Sequence, residues 1–396
     1  MMRPDIVVIG AGMIGASAAL ALARAGVSVT LIGPREPDDK ATATGPFASH
    51  YDEGRITRIA DPDPLWAGWA AESIACYPDI EAASGIRFHH PVGSVRVAPA
   101  GSPGLARARA AARALGAAVE EIDGRELAAR CPAFATHEGV AVLWEAAPAG
   151  HVNPRRKVAA LKVAALRAGA RLIETEATAV ATGPGGAEVA LASGERVACG
   201  RVLVATGPHA RDRRLVPVLP DLKPVGRTVV LFEVAADDPQ FRAMPSFIVG
   251  LDPAAPDTSF YGVAPVPYPG GGLWLKAGNG CIDSPLPDGA AVRDWFQSGG
   301  SQEEARRIRA EVLTVFPALS AARWRTEPCA LVETVSGRPF IGRVPGWERI
   351  GIALGCNGYA AKSCIALGRI AAGMICDDGW SGSQEAGPLR PVWAAP

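Results

Sequence analysis

The chain has 396 residues, 48% of them hydrophobic, enough to bury a substantial core and to divide into two domains. Its 40 Lys and Arg residues balance 40 Asp and Glu residues, so no excess of basic charge favours nucleic acid or an anionic membrane surface. The eight cysteines include no C-x-x-C pair and no zinc-type spacing, and no basic leader precedes the first apolar run, so they are expected to be reduced, in a cytoplasmic protein without a metal.

Asp5 to Gly33, DIVVIGAGMIGASAALALARAGVSVTLIG, reads as strand, tight turn, helix, strand. Gly10, Gly12 and Gly15 have the G-x-G-x-x-G spacing that a dinucleotide pyrophosphate requires. Gly10 permits the turn, Gly12 lets a phosphate approach the backbone, and Gly15 lets the helix press on the strand, with Ile14 beside the cradle. The free N–H groups at the helix start would face the anion. Ile6 to Ala23 carries no charge and so also has the composition of a membrane span, but three glycines at fingerprint spacing argue against a spanning helix. Gly33 stands where an acid ordinarily closes the second strand and holds the adenosine ribose. Glu36 or Asp38 would then have to reach the ribose, or Arg35 would mark a 2′-phosphate and NADP.

The segment GPFASHYDEGRITRIADPD, Gly45 to Asp63, is polar and carries Arg55 and Arg58 three residues apart. Trp66 to Ile80 is expected to be one helix, Ile86 to Val97 strand interrupted at Pro91 and Gly93, and Pro103 to Gly116 a surface helix. Asn153 is a candidate N-cap for a helix that starts at Pro154, buries Val158, Leu161 and Ala165, and stops at Gly169. Short strands follow, the last running through VLVATG at Val202 to Gly207. From Thr228 to Lys276 the pattern changes to repeated strands separated by proline and glycine, which predicts an antiparallel sheet. Ser301 and Glu304 form a capping-box pattern, and Glu303 can pair with Arg307. Strands are expected at Cys329 to Val332 and Ile350 to Leu354, then a closing helix from about Gly358 to Cys376.

Taken in order, the glycine fingerprint, SHYDEGRITR at Ser49 to Arg58, VLVATG, LWLKAG at Leu273 to Gly278, CALVETVSGRPFIG at Cys329 to Gly342 and GCNGYAAKS at Gly355 to Ser363 resemble the flavin amine oxidases of the D-amino-acid-oxidase superfamily. The likeness is closest to the monomeric sarcosine oxidase and N-methyltryptophan oxidase group. It implies FAD rather than NADP. By this resemblance Arg58 and Lys362 match the cations that hold a substrate carboxylate, Arg55 an arginine near the flavin ring, and Lys276 a lysine near flavin N5 where oxygen reacts. Tyr261 and Tyr359 match positions in the substrate pocket wall. Gly10, Gly12, Ile14, Gly15, Ser49, His50, Arg55, Gly207, Gly355, Asn357, Gly358 and Lys362 match cofactor-binding positions, and Cys329 falls close to the cysteine that carries the flavin covalently. Tyr359 and Gly280 replace histidines of the sarcosine group, so the pocket wall differs while the carboxylate clamp is kept.

The resulting expectation is an α/β chain: a Rossmann-like FAD-binding domain over residues 1–86, 145–222 and 327–396, interleaved with an α+β substrate domain over 87–144 and 223–326 built on a mainly antiparallel sheet. The expected activity is FAD-dependent oxidation of a secondary or N-methylated amino acid to an imine, with hydrogen peroxide formed from oxygen, by a monomer or small homo-oligomer. The alternative is a dehydrogenase that passes electrons to a protein partner.

Overall fold

The β-branched run Ile6–Ile9 is fully buried and lies in the middle of a six-stranded sheet, as a strand with apolar side chains on both faces must. This is seen in a computed structural model, which describes residues 5–394 apart from 136, 253, 255–258 and 379. The sheet order is Phe340–Val344, Trp347–Leu354, Arg201–Val204, Ile6–Ile9, Val29–Ile32, Arg171–Ile173. All pairs are parallel except the first, which is an antiparallel hairpin edge. The uncharged N-terminal run therefore splits into a strand, a turn and the helix Met13–Arg24, and among the described residues no helix is long and apolar enough to cross a membrane. That helix packs against Ala360–Cys376 at very short range: a Cβ on Gly368 would lie 2.4 Å from the Ser17 Cβ. Small residues on both helices are what allow this crossing.

The expected repeated strands form a second, larger sheet. Leu222–Val234 pairs antiparallel with Leu273–Gly278 on one side and with Trp324–Thr334 on the other. The sheet continues through Phe260–Pro267 and Ser246–Val249 to Ser94–Pro99, Val140–Glu145 and Val119–Asp123. Only the Ser246–Val249 pairing with Ser94–Pro99 is parallel among its described strand pairs. One face packs on a core that includes Phe232, Phe247, Ile308 and Phe316, and part of the other lines the cavity discussed below.

Three local expectations need correction. Trp66–Ile80 is two helices, Pro64–Ala75 and Tyr77–Ser84, because Pro78 has no N–H to continue the first and fits the first turn of the second. Only half of the capping box forms: Ser301 Oγ accepts from the Glu304 N–H at 3.2 Å, whereas the Glu304 carboxylate accepts from Thr228 N at 2.8 Å. The Thr228 hydroxyl in turn accepts from the Ser301 N–H, so a strand supplies what the box would have supplied. Strands at Arg196–Cys199 and Phe340–Val344 also form beyond those expected. The Asn153 cap is as read, its side chain accepting from Arg156 N at 2.9 Å.

Candidate active site

The three fingerprint glycines have separable tasks. Gly10 sits at φ +108°, and a Cβ there would meet Ala205 O at 2.4 Å; a Cβ on Gly15 would fall 1.8 Å from Gly10 O. Gly12 meets nothing closer than the His50 ring at 3.7 Å, which leaves its backbone open toward the cavity. Gly33 is also required sterically, since its Cβ would lie 2.6 Å from Ala11 N. Arg35 is paired with Glu174 at 2.6 Å, and Glu36 is held by Arg155 at 2.7 Å. Both side chains are thus paired with an opposite charge within the protein.

A cavity of 1210 Å³ is lined by Gly10, Gly12 and Ile14 and also by Arg58, Tyr359 and Lys362. Ser49, His50, Arg55, Gly207, Tyr261, Cys329, Gly355, Asn357 and Gly358 line it as well, while Gly15 lies behind the turn and acts through packing. Asn357 adopts φ 49°, and its side chain accepts from Thr334 N at 2.9 Å and donates to Gly355 O at 2.7 Å, which fixes the loop before the final helix.

Two cations from distant segments converge on one carboxylate. Lys362 Nζ is 2.6 Å and Arg58 Nη1 3.1 Å from Asp61 Oδ2, and all three side chains are buried. Burial, reinforced by Arg58, brings the Lys362 ammonium down to about 7, with Asp61 opposing. Burial would raise the Asp61 carboxyl, but Arg58 and Lys362 outweigh it and hold the group at about 2. Glu145 fixes the loop that carries this cluster by accepting from Ile59 N and Ala60 N, each at 2.8 Å. On the other side Tyr359 stacks on Trp66, ring centroids 4.7 Å apart, with Lys362 Nζ 4.9 Å from the tyrosine ring.

A second buried group joins Arg55 to Lys276 through Asp52. Arg55 Nε is 2.9 Å from Asp52 Oδ2, the Lys276 ammonium contacts the same oxygen, and Tyr268 donates to Asp52 Oδ1 at 2.7 Å. Lys276 also donates to Gly54 O at 2.5 Å. Burial and Arg55 bring Lys276 down to about 8, against the pull of Asp52. Arg55 faces the cavity and donates to Cys329 Sγ at 3.1 Å, whereas Lys276 is fully buried and lies one layer behind the cavity wall.

The family model described as "DAO: FAD dependent oxidoreductase" matches residues 5–374. The chain belongs to this family of FAD-dependent oxidoreductases. Among curated proteins it is 24% identical to N-methyl-L-tryptophan oxidase of Yersinia pestis over 370 residues, covering 93% of this chain and 94% of that one. Among solved structures it is similar to NikD, an amino acid oxidase essential for nikkomycin biosynthesis, with TM-score 0.79, 19% identity, and 100% and 99% of the two chains covered. It is also similar to L-proline dehydrogenase from P. horikoshii, with TM-score 0.77, 21% identity, and 94% and 93% covered.

The residues of this DAO-family chain fit FAD. The pyrophosphate cradle is unobstructed at Gly12, the first N–H groups of the Met13–Arg24 helix face it without a side-chain cap, and the same cavity extends to Arg55 and Cys329. Sequence reasoning passed over Asp52, Asp61, Arg96 and Glu145. The two aspartates carry a local signal, since each stands three residues from an arginine, as Asp52–Arg55 and Arg58–Asp61. Glu145 carries none, because its partners lie more than 80 residues away.

Proposed function

We propose that the protein oxidises a secondary or N-methylated amino acid, whose carboxylate is held by Arg58 and Lys362 while the neighbouring C–N bond is presented to the flavin. The observation that carries this reading is that these two buried cations, which share the Asp61 carboxylate, both line the cavity that also holds the dinucleotide cradle. A guanidinium and an ammonium in a half-dry pocket orient a carboxylate strongly, and orientation is most of what the protein must supply. The same positive charge disfavours an ammonium beside it, so the substrate amine binds neutral. The curated relatives' name, N-methyl-L-tryptophan oxidase, supports an N-methylated amine, and the similarity to NikD, an amino acid oxidase, supports an amino acid.

FAD, when bound, would supply a two-electron acceptor for the hydride equivalent on the carbon beside nitrogen, with oxygen as the final acceptor and hydrogen peroxide as the reduced product. The resulting imine is hydrolysed by water to a carbonyl compound and an amine. The start of the Ala360–Cys376 helix lines the cavity, and its N–H groups favour negative charge there. Arg55, with Lys276 behind it, supplies positive charge on the other side, and Asp52 fixes both. The Cys329 sulfur faces the cavity beside Arg55 and is the proposed point of covalent attachment.

Anaerobic mixing of the yellow holoenzyme with N-methyl amino acids, cyclic imino acids and D-amino acids tests the reading. Bleaching by the first two classes, reduced by about a hundredfold or more in Arg58→Gln, supports it; a flavin that no amine bleaches overturns it. Readmitting air separates an oxidase, which recolours fast and slows in Lys276→Met, from a dehydrogenase that does not. Acid precipitation leaves a yellow pellet if the flavin is bonded, and Cys329→Ala then releases the colour.

A further inference from the structure

Arg96 lies in the Ser94–Pro99 strand, between Val95 and Val97, which are buried in the apolar core on one face of the larger sheet. Arg96 projects from the opposite face and lines the cavity. Strand register places it beside Ile248, which in turn pairs with Tyr261, and all three line that cavity as one row across three strands. Its charged and polar neighbours include Arg58, Asp61, Tyr359 and Lys362, so two guanidiniums and an ammonium share one end of the pocket.

The hydrogen-bond accounting is incomplete at this residue. Among the described residues no hydrogen bond or ion pair engages the Arg96 guanidinium, and its Nε is buried without a partner. Asp61 is already shared by Arg58 and Lys362, and Glu145 is committed to the amides of Ile59 and Ala60. A single substrate carboxylate at the Arg58–Lys362 pair would still leave Arg96 without an acceptor. Two close guanidiniums repel, and a half-buried planar fork without an acceptor is costly unless a ligand supplies one.

We infer that Arg96 receives a second acidic group of the substrate, so that the preferred amine carries two carboxylates or comparable anions. This rests on the Arg58–Lys362 clamp proposed above. The second group can stand on the amino-acid side chain or on the nitrogen substituent; both present the same anion to the guanidinium.

Titration of the holoenzyme with malonate, succinate and glutarate against propionate, followed by the flavin absorbance change and by calorimetry, reads this without turnover. The best diacid is expected to bind about tenfold or more tighter than propionate, as a charge-assisted pair warrants, and Arg96→Gln is expected to bring the ratio to about one. Equal binding of monoacid and diacids by the wild type overturns the inference and leaves the clamp standing, as does a diacid preference that persists in Arg96→Gln. Failure of every carboxylate to bind overturns the clamp and this inference with it. The wild-type ratio is decisive even if the variant does not fold. Among amines, preference for N-methyl-L-aspartate over N-methyl-L-asparagine puts the second acid on the side chain, and preference for iminodiacetate over N-methylglycine puts it on nitrogen; the absence of both preferences overturns the inference.

Discussion

Asp61 puts an internal carboxylate against the two cations proposed to bind the substrate's own, so the ligand-free protein is stabilised by the contact that a ligand must share or displace. Asp61→Asn keeps the shape and removes the charge. It leaves Arg58 and Lys362 without a counter-charge, so that Lys362 must shed its proton or face Arg58 charged, and the ligand-free holoenzyme is expected to lose about 3 kcal/mol of stability. A saturating carboxylate such as propionate should raise the melting temperature of this variant more than that of the wild type; an equal rise in both would show that no ligand carboxylate reaches this position. Lys362 makes a second prediction, in pH. Its ammonium is brought down to about 7 by burial and Arg58, and only the charged form attracts a carboxylate. Propionate affinity is therefore expected to be flat below pH 7 and to fall by about tenfold above it. Lys362→Met should remove the fall, with affinity low at every pH; a wild-type affinity constant from pH 6 to 9 contradicts the assignment.

At the level of the element, the strand–turn–helix unit separates folding from cofactor binding within a few residues. Gly15→Ala drives a methyl group into Gly10 O and must push the helix from the strand, whereas Gly12→Ala meets only the His50 ring at van der Waals distance. The apoprotein of Gly12→Ala is expected to melt within about 2 °C of the wild type but to lose FAD affinity, and Gly15→Ala to melt much lower even without cofactor. Calorimetry of both apoproteins with a flavin titration checks this; equal loss of stability in the two would refute the division of tasks. The Gly15 contact was legible in the sequence because one short stretch contains both of its partners, Gly10 and Val8. The Asn153 cap was legible for the same reason. The capping box misled because Glu304 found a better donor in Thr228, 76 residues away in sequence, which no local pattern contains. Phe340–Val344 was not among the expected strands; it pairs antiparallel at the sheet edge, where the proline before it and the glycine within it are tolerated.

Across the whole molecule, the cavity is made where two sheets and the Gly45–Asp63 segment meet, and this is where sequence reading was least complete. Arg58 and Lys362, which line this cavity, were singled out through the order of motifs along the chain. Arg96 was not, because alternation on a strand tells which face a side chain takes but not whether that face meets solvent or a cavity. Lys157 was not singled out either, because the reading of its helix took only Val158, Leu161 and Ala165 as the buried face. It is fully buried, with Nζ 2.8 Å from Ala361 O and 3.1 Å from Tyr77 Oη, and Tyr77 Oη lies 3.0 Å from Thr57 Oγ1. Thr57 and Ala361 immediately precede Arg58 and Lys362, the two cations of the proposed clamp, so one buried ammonium ties both of their segments to the Pro154–Arg167 helix. No carboxylate is among its described partners, and burying an ammonium without one is expensive. Lys157→Met fills the same space without that cost, and its stability is expected to stay within about 1 kcal/mol of the wild type or to rise. The clamp should nevertheless loosen, with propionate affinity falling about fivefold, roughly the loss of one hydrogen bond. Tyr77→Phe should lower both stability and affinity, since it leaves the ammonium short of a partner. Thermal melts and propionate titrations on the two variants separate these outcomes. An affinity that follows stability in both would make Lys157 ordinary packing, whereas affinity lost at unchanged stability in Lys157→Met makes it the residue that sets the distance between Arg58 and Lys362.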